Sequence, residues 1–255
     1  MSSFKILTPY IVNFTSSDTD NFTNDNGLSE GRNLGYGQIS DRVYCSDAET
    51  SAYLQINHST ATPVDFLYLG NILPSCRLTY PDDLTITVQG STSDTFGTSE
   101  DLTFNIAVGD LLGRNRADWA TTITFTQSYR YYRVKLSYAS AKKWLVSKIW
   151  LGSAIDIGDP ILDLTFNTND STQPAFANQS NFYSLNFVGL TASEKNTLFD
   201  RIEKDRAYSD IVGWDSGNTV FNNSEYLKVF KLQEVKYKIK VNQFYDVTLD
   251  LIEAF

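Results

Sequence analysis

The sequence predicts a mainly β protein: an antiparallel β-sandwich followed by a small α+β domain with one helix. Three observations carry that expectation. Segments in which apolar and polar residues alternate with period 2 recur along the chain, separated by turn-rich linkers. Helical periodicity with a start signal occurs in one segment only, after residue 190. The texture changes at Gly158-Asp159-Pro160, which places one domain at 1–156 and a second at 157–255.

The first domain opens on a loop-rich stretch, residues 13 to 50, dense in Asn, Asp, Ser, Thr and Gly, with room for one or two short strands. Ala52, Leu54 and Ile56 then alternate, and Val64 to Leu69 is a continuous apolar run. Leu84, Ile86 and Val88 face one way in DLTITVQG, Leu102, Phe104, Ile106 and Val108 repeat the pattern, and Ile123 and Phe125 stand between threonines. The stretch YRYYRVKLSYASAKKWLVSKIWLG, Tyr129 to Gly152, reads as two neighbouring strands joined by a turn at Ala139 to Lys143. In the first of them Tyr132, Val134, Leu136 and Tyr138 point to a core and Arg133, Lys135 and Ser137 to water. The second, from Trp144 to Leu151, is apolar on both sides and is expected to be covered on both faces.

In the second domain Leu162, Leu164 and Phe166 begin a strand, and Tyr183, Leu185 and Phe187 form the next. Thr191 and Glu194 have the spacing of a capping box, in which hydroxyl and carboxylate satisfy the backbone donors that a helix start leaves free. Leu198 and Ile202 give the following helix an apolar stripe, and it is expected to end near Ala207. The chain finishes on a hairpin: Val235, Tyr237, Ile239 and Val241 alternate with Lys236, Lys238 and Lys240. After the turn, Tyr245, Val247, Leu249 and Leu251 alternate with Asp246, Thr248 and Asp250. Lysines on one strand are expected to pair with acids on the other.

Composition excludes several classes of function. A net charge of -9 is the wrong sign for a protein that neutralises phosphates, so neither nucleic acid nor an anionic membrane surface is expected as a partner. No stretch is apolar for long enough to span a bilayer, and MSSFKILTPYIVNF lacks the features of a secretory signal, so synthesis in a reducing cytoplasm is expected. Cys45 and Cys76 are then expected as free thiols rather than a disulfide.

Catalytic signatures are missing. The single histidine, His58, lies in NHSTATP, which reads as a polar surface turn, and no Gly-x-Ser-x-Gly elbow accompanies it. There is no zinc spacing and no Walker sequence, and Gly35-Tyr36-Gly37 lacks the third glycine of a dinucleotide loop. No enzyme activity, cofactor or metal is expected. Asp18, Asp20, Asn24, Asp25 and Asn26 offer hard oxygen ligands for calcium, weighed against a solvated Asn/Asp-rich turn, which is favoured.

The order VDFLYLGNIL, YPDDLTITVQGSTSDTF, YRYYRVKLSYASAKKWLVSKIWLG resembles the galactose-binding-like, discoidin-type jelly roll over residues 1 to 156. That resemblance implies binding rather than catalysis. It directs attention to aromatic and Arg residues on loops at one end, here Trp119, Arg114 and Arg116 in GRNRADW, with Trp119 also readable as a plug of the sandwich. Over residues 157 to 255, YSLNFVGLTASEKNTLFDRIEKDRAYSDIVGWD followed by a Lys-rich strand and QFYDVTLDLIEAF resembles tail proteins of long-tailed bacteriophages. This implies a structural protein of the virion, in the tail tip or baseplate, whose partners are other tail proteins and further copies in a homo-oligomeric ring. Leu227, Val229, Phe230 and Leu232, apolar on both faces, are the expected contact between copies. The alternative is a carbohydrate-binding module of a host-adsorption apparatus, with a glycan as partner.

Overall fold

The computed structural model describes residues 4–9, 22–25, 43–44, 49–70, 73–74, 84–107, 119–142, 144–146, 148–166, 181–206, 211–215, 227–240 and 243–253. Its strands are β1 (Phe4–Pro9), β2 (Phe22–Asp25), β3 (Val43–Tyr44), β4 (Glu49–Thr62), β5 (Phe66–Gly70), β6 (Leu73–Pro74), β7 (Leu84–Ser91), β8 (Glu100–Ile106) and β9 (Trp119–Thr122). They continue as β10 (Tyr129–Lys142), β11 (Trp144–Val146), β12 (Lys148–Ile155), β13 (Ile161–Phe166) and β14 (Asn181–Leu190). After the helix α1 (Ala192–Arg206) come β15 (Ile211–Asp215), β16 (Leu227–Ile239) and β17 (Tyr245–Glu253). The protein is mainly β, with antiparallel pairings and, among the described residues, one helix; that helix is too short and polar to cross a membrane. It divides into two compact units, Pro9–Ser153 and Met1–Thr8 with Ala154–Phe255.

The first unit is a sandwich. A five-stranded sheet in the order β2-β4-β10-β7-β8 shares one core with the strands β12-β5-β9, and β3-β11-β6 form a small third sheet. Alternation explains the packing: Leu84, Ile86 and Val88 of β7 and Tyr132, Val134, Leu136 and Tyr138 of β10 are buried, meeting Leu67, Leu69, Ile149 and Leu151 of the opposite strands. Strand β5 is buried at every position, as its continuous apolar run requires. Gly90 is needed because the ring of Tyr129 lies over it: a Cβ there would stand 2.3 Å from Tyr129 Cδ2.

The second unit orders its strands β13-β14-β17-β16-β15-β1. Helix α1 starts as its capping box dictates: Glu194 N–H donates to Thr191 Oγ1 (3.2 Å) and Thr191 N–H to Glu194 Oε2 (2.8 Å). Leu198 and Ile202 enter a core with Phe4, Ile6, Tyr183, Leu185, Phe187, Phe230, Val247, Leu249 and Leu251. The closing hairpin pairs Lys238 with Asp246 and Lys236 with Thr248 in register, and Lys236 reaches Asp250 at 2.6 Å while Lys240 reaches Asp246 at 2.7 Å.

Five expectations are corrected. Strands β10 and β12 are not neighbours: β10 pairs with β4 and β7, β12 with β5, so the stretch between them crosses from one sheet to the other instead of turning a hairpin. Within that stretch Trp144–Val146 form β11 of the small third sheet, and Ile149, Trp150 and Leu151 of β12 are buried. The opening strand, placed with residues 1–156 from sequence, pairs with β15 of the second unit, because Phe4 and Ile6 find their apolar cover there. The Phe4 N–H also donates to Asp159 Oδ1 at 2.8 Å. Ile123 and Phe125 lie beyond the end of β9, although Ile123 is buried and its N–H is taken by the Asp65 carbonyl at 2.9 Å. His58 is not in a surface turn but 3% exposed within β4. Finally, Phe230 is not a face seeking a neighbour: it is 0% exposed and packs edge-on against Tyr183 in the core of its own unit. Leu232 packs against the same core, while the side chains of Leu227 and Val229 lie outside the described residues.

Candidate binding face

The five-stranded sheet buries one side and turns the other away from the core. On that outer side the register lines up Gln55 of β4, Arg133 of β10, Gln89 of β7 and Asp101 of β8 in a row across four strands. The next row, two residues along, is Tyr53, Lys135, Thr87 and Thr103, and the one after it Ser51, Ser137, Thr85 and Asn105. These side chains are half-buried on the central strands and exposed on β8.

Arg133 is the centre of this surface. Its guanidinium carbon lies 4.4 Å from the ring centre of Tyr53 and 4.1 Å from that of Phe96, so two aromatic rings are within cation–π distance of it. One amino group donates to Gln55 Oε1 at 2.9 Å, and Nε is buried without an acceptor among the described residues. Phe96 reaches it from the β7–β8 turn, where the backbone adopts φ 52°, a region that a bulky residue enters only when held there. The turn supplies the holding contacts: Phe96 N–H donates to Ser93 O (3.3 Å), Ser91 Oγ to Thr98 O (3.0 Å), and Gln55 Nε2 to Asp94 O (3.3 Å). Asp101 is occupied by Gln89 Nε2 (3.0 Å) and Ser99 Oγ (2.6 Å).

Beside this face a second network ties Glu100 to the β9–β10 connection. Its carboxylate accepts from Thr126 Oγ1 (2.7 Å), Thr126 N–H (3.0 Å) and Tyr129 Oη (2.9 Å). Those hydrogen bonds, the Thr126 hydroxyl's first, hold it below the usual carboxylate range. Behind the sheet, His58 packs edge-on to Tyr132 with its Nε2 unpartnered among the described residues, and burial lowers its pKa from 6.5 to about 4.

The residues singled out from sequence fall elsewhere. Trp119 is half-buried, edge-on to Phe104 at 5.6 Å and packed against the sandwich core, so it is a plug and not a displayed ring. Arg114, Arg116, Cys45, Cys76, Asp18, Asp20 and Asn26 lie outside the described residues. Asn24 and Asp25, expected in the calcium loop, are strand positions opposite Leu54 and Tyr53. Among the described residues no three His, Cys, Asp or Glu side chains gather where a metal could be held. Sequence reasoning looked for rings and arginines on end loops and missed the sheet. The available signal was an Arg and a Lys on the polar phase of a tyrosine-rich strand.

No family model and no curated protein matches the chain. Among solved structures it is similar to the Ruminococcus gnavus GH29 fucosidase E1_10125 in complex with fucose, at 12% identity and a TM-score of 0.39 over 58% of this chain and 28% of that one. CpGH89CBM32-6 produced by Clostridium perfringens is similar at 13% identity and a TM-score of 0.35, over 53% and 95%. Chitosan-binding module 1 from a chitosanase/glucanase of Paenibacillus sp. IK-5 is similar at 15% identity and a TM-score of 0.35, over 52% and 96%. The chain thus matches little more than a quarter of the fucosidase's length. Likeness at this level carries no function across.

Proposed function

We propose that the protein is a carbohydrate-binding protein without catalytic activity, and that its first unit takes a saccharide on the outer face of the five-stranded sheet. The observation that carries this reading is the Tyr53–Arg133–Phe96 stack set among Gln55, Gln89 and Thr87. Saccharide recognition needs hydrogen-bonding groups of both signs beside aromatic carbon, held in place before the ligand arrives. Here a sheet supplies the rigidity and a tied-down turn the ring. A glycan array probed with the full chain tests it: binding that falls about tenfold or more in Phe96→Ala supports the reading, and no binding to any saccharide overturns it. Saccharide hydrolysis lost on replacing one carboxylate would overturn the non-catalytic part.

A second reading, a structural protein of a bacteriophage tail assembling in the virion with other tail proteins and its own copies, is favoured by one feature of the second unit. At the β16–β17 hairpin Tyr237 is 57% exposed, Ile239 65% and Phe244 43%, an apolar group left open to solvent although Tyr237 lies edge-on to Phe199 of α1. Mass photometry of the purified chain, with Tyr237→Ser/Ile239→Ser as control, checks the oligomeric half: a ring lost in the variant supports it, a monomer throughout contradicts it.

A further inference from the structure

Resting on the saccharide reading of this face, we infer that the ligand is an acidic saccharide, its oxyanion, a carboxylate or sulfate, held between Arg133 and Lys135. Both side chains rise from the same side of the central strand β10, two residues and so about 7 Å apart. Neither meets a carboxylate among the described residues. Arg133 spends one donor on the neutral amide oxygen of Gln55, and Asp101, in the same row, is occupied by Gln89 and Ser99. This contrasts with the lysines of the closing hairpin, where Lys236 and Lys240 are each neutralised by an aspartate. Among the described residues Arg133 and Lys135 are thus two adjacent cations without an ion pair, in a chain of net charge -9.

Geometry makes Arg133 the stronger partner. With the rings of Tyr53 and Phe96 at 4.4 and 4.1 Å and one donor bonded to Gln55, the guanidinium is held in place, and its planar fork suits the two oxygens of a carboxylate or sulfate. Little side-chain freedom is left to lose on binding. The flanking groups Gln55, Gln89 and Thr87 bear no charge and suit ring hydroxyls. Gln55 also bridges Arg133 to the turn that carries Phe96, through its amide nitrogen on Asp94 O, so one side chain sets both cation and ring.

The test is calorimetric titration of the full chain with hexagalacturonate and with the same oligosaccharide fully methyl-esterified, a pair with one sugar backbone in which each carboxylate is replaced by an uncharged ester. Heparin hexasaccharide forms a sulfate arm. The acid form, or heparin, is expected to bind at least about tenfold more tightly than the ester. Arg133→Gln and Lys135→Gln are each expected to remove most of that preference, with Lys135→Gln, on a half-exposed position, expected to leave the unfolding midpoint unchanged. If neither the acid form nor heparin binds more tightly than the ester, the inference is overturned and the saccharide reading stands. A preference for the acid that survives both substitutions places the anion elsewhere and overturns the site. Failure to bind these or any neutral saccharide on the array overturns the inference and the reading together.

Discussion

In β10 the residues Tyr132, Val134, Leu136 and Tyr138 alternate with Arg133, Lys135 and Ser137, and in β16 Val235, Tyr237 and Ile239 alternate with Lys236 and Lys238. As patterns the two strands are interchangeable, yet their neighbours give them opposite characters. Every apolar residue of the β10 series is buried in the sandwich, while Arg133 and Lys135 meet no carboxylate among the described residues. In β16 the cations Lys236 and Lys240, the latter just past the strand end, are matched to aspartates on β17 or its start, and Tyr237 and Ile239 stay exposed. Alternation therefore fixes which residues share a face. Whether that face is covered, and whether its charges are compensated, is decided by strands far away in sequence.

The largest effects should separate the two strands by stability. Leu136→Ala, opening a cavity in the sandwich core, is expected to cost about 2–5 kcal/mol, whereas Ile239→Ala is expected to fall within about 0.5 kcal/mol of the parent. Chemical denaturation read by tryptophan fluorescence checks both; equal costs would erase the contrast.

Acid should separate them next. His58, on the strand beside β10, has a folded-state pKa near 4 against 6.5 when unfolded, so the unfolded chain binds the extra proton between those values. Stability of the first unit should be full above pH 6.5 and fall as pH drops towards 4, by at most about 3 kcal/mol. His58→Phe should flatten that slope. The carboxylates of the second unit act lower: Lys240 and the Gly189 N–H hold Asp246 down, and Lys236 and Ser184 hold Asp250 down. Their contribution is present above the ordinary aspartate value of 3.8 and disappears as pH falls through their lowered pKa values. Hydrogen exchange on the full chain should show the amides of β4 and β10 loosening before those of β16 and β17; the reverse order contradicts the assignment.

Smaller effects follow. Thr191→Ala removes the cap of α1 and should lower stability by about 1 kcal/mol, with fraying confined to the first turn by hydrogen exchange. Lys236→Met breaks an exposed ion pair and should leave the unfolding midpoint unchanged within error.

What the sequence shows and hides follows the same division. The helix from its Thr191–Glu194 box, the apolar phase of β7, β10 and β14, and the Lys–Asp matching of the last hairpin are legible because each depends on residues within one segment or its immediate neighbour. The burial of His58, the separation of β10 from β12 and the pairing of β1 with β15 are not, because each is settled by a partner tens to hundreds of residues away. The candidate site belongs to the second kind. Phe96 sits in a turn, STSDTFGTS, that reads as plain polar linker, and only the fold brings it to 4.1 Å from Arg133. Its positive φ is invisible in a residue type that rarely adopts one.

The claim at the centre of this account is that the outer face of the five-stranded sheet binds a saccharide. Backbone and side-chain amide NMR of the full chain, titrated with hexagalacturonate, tests it most directly. The account predicts shifts concentrated on Gln55, Gln89, Phe96, Arg133 and Lys135, with the hairpin of β16 and β17 unmoved. Saturable shifts that gather elsewhere and spare these five residues would contradict it.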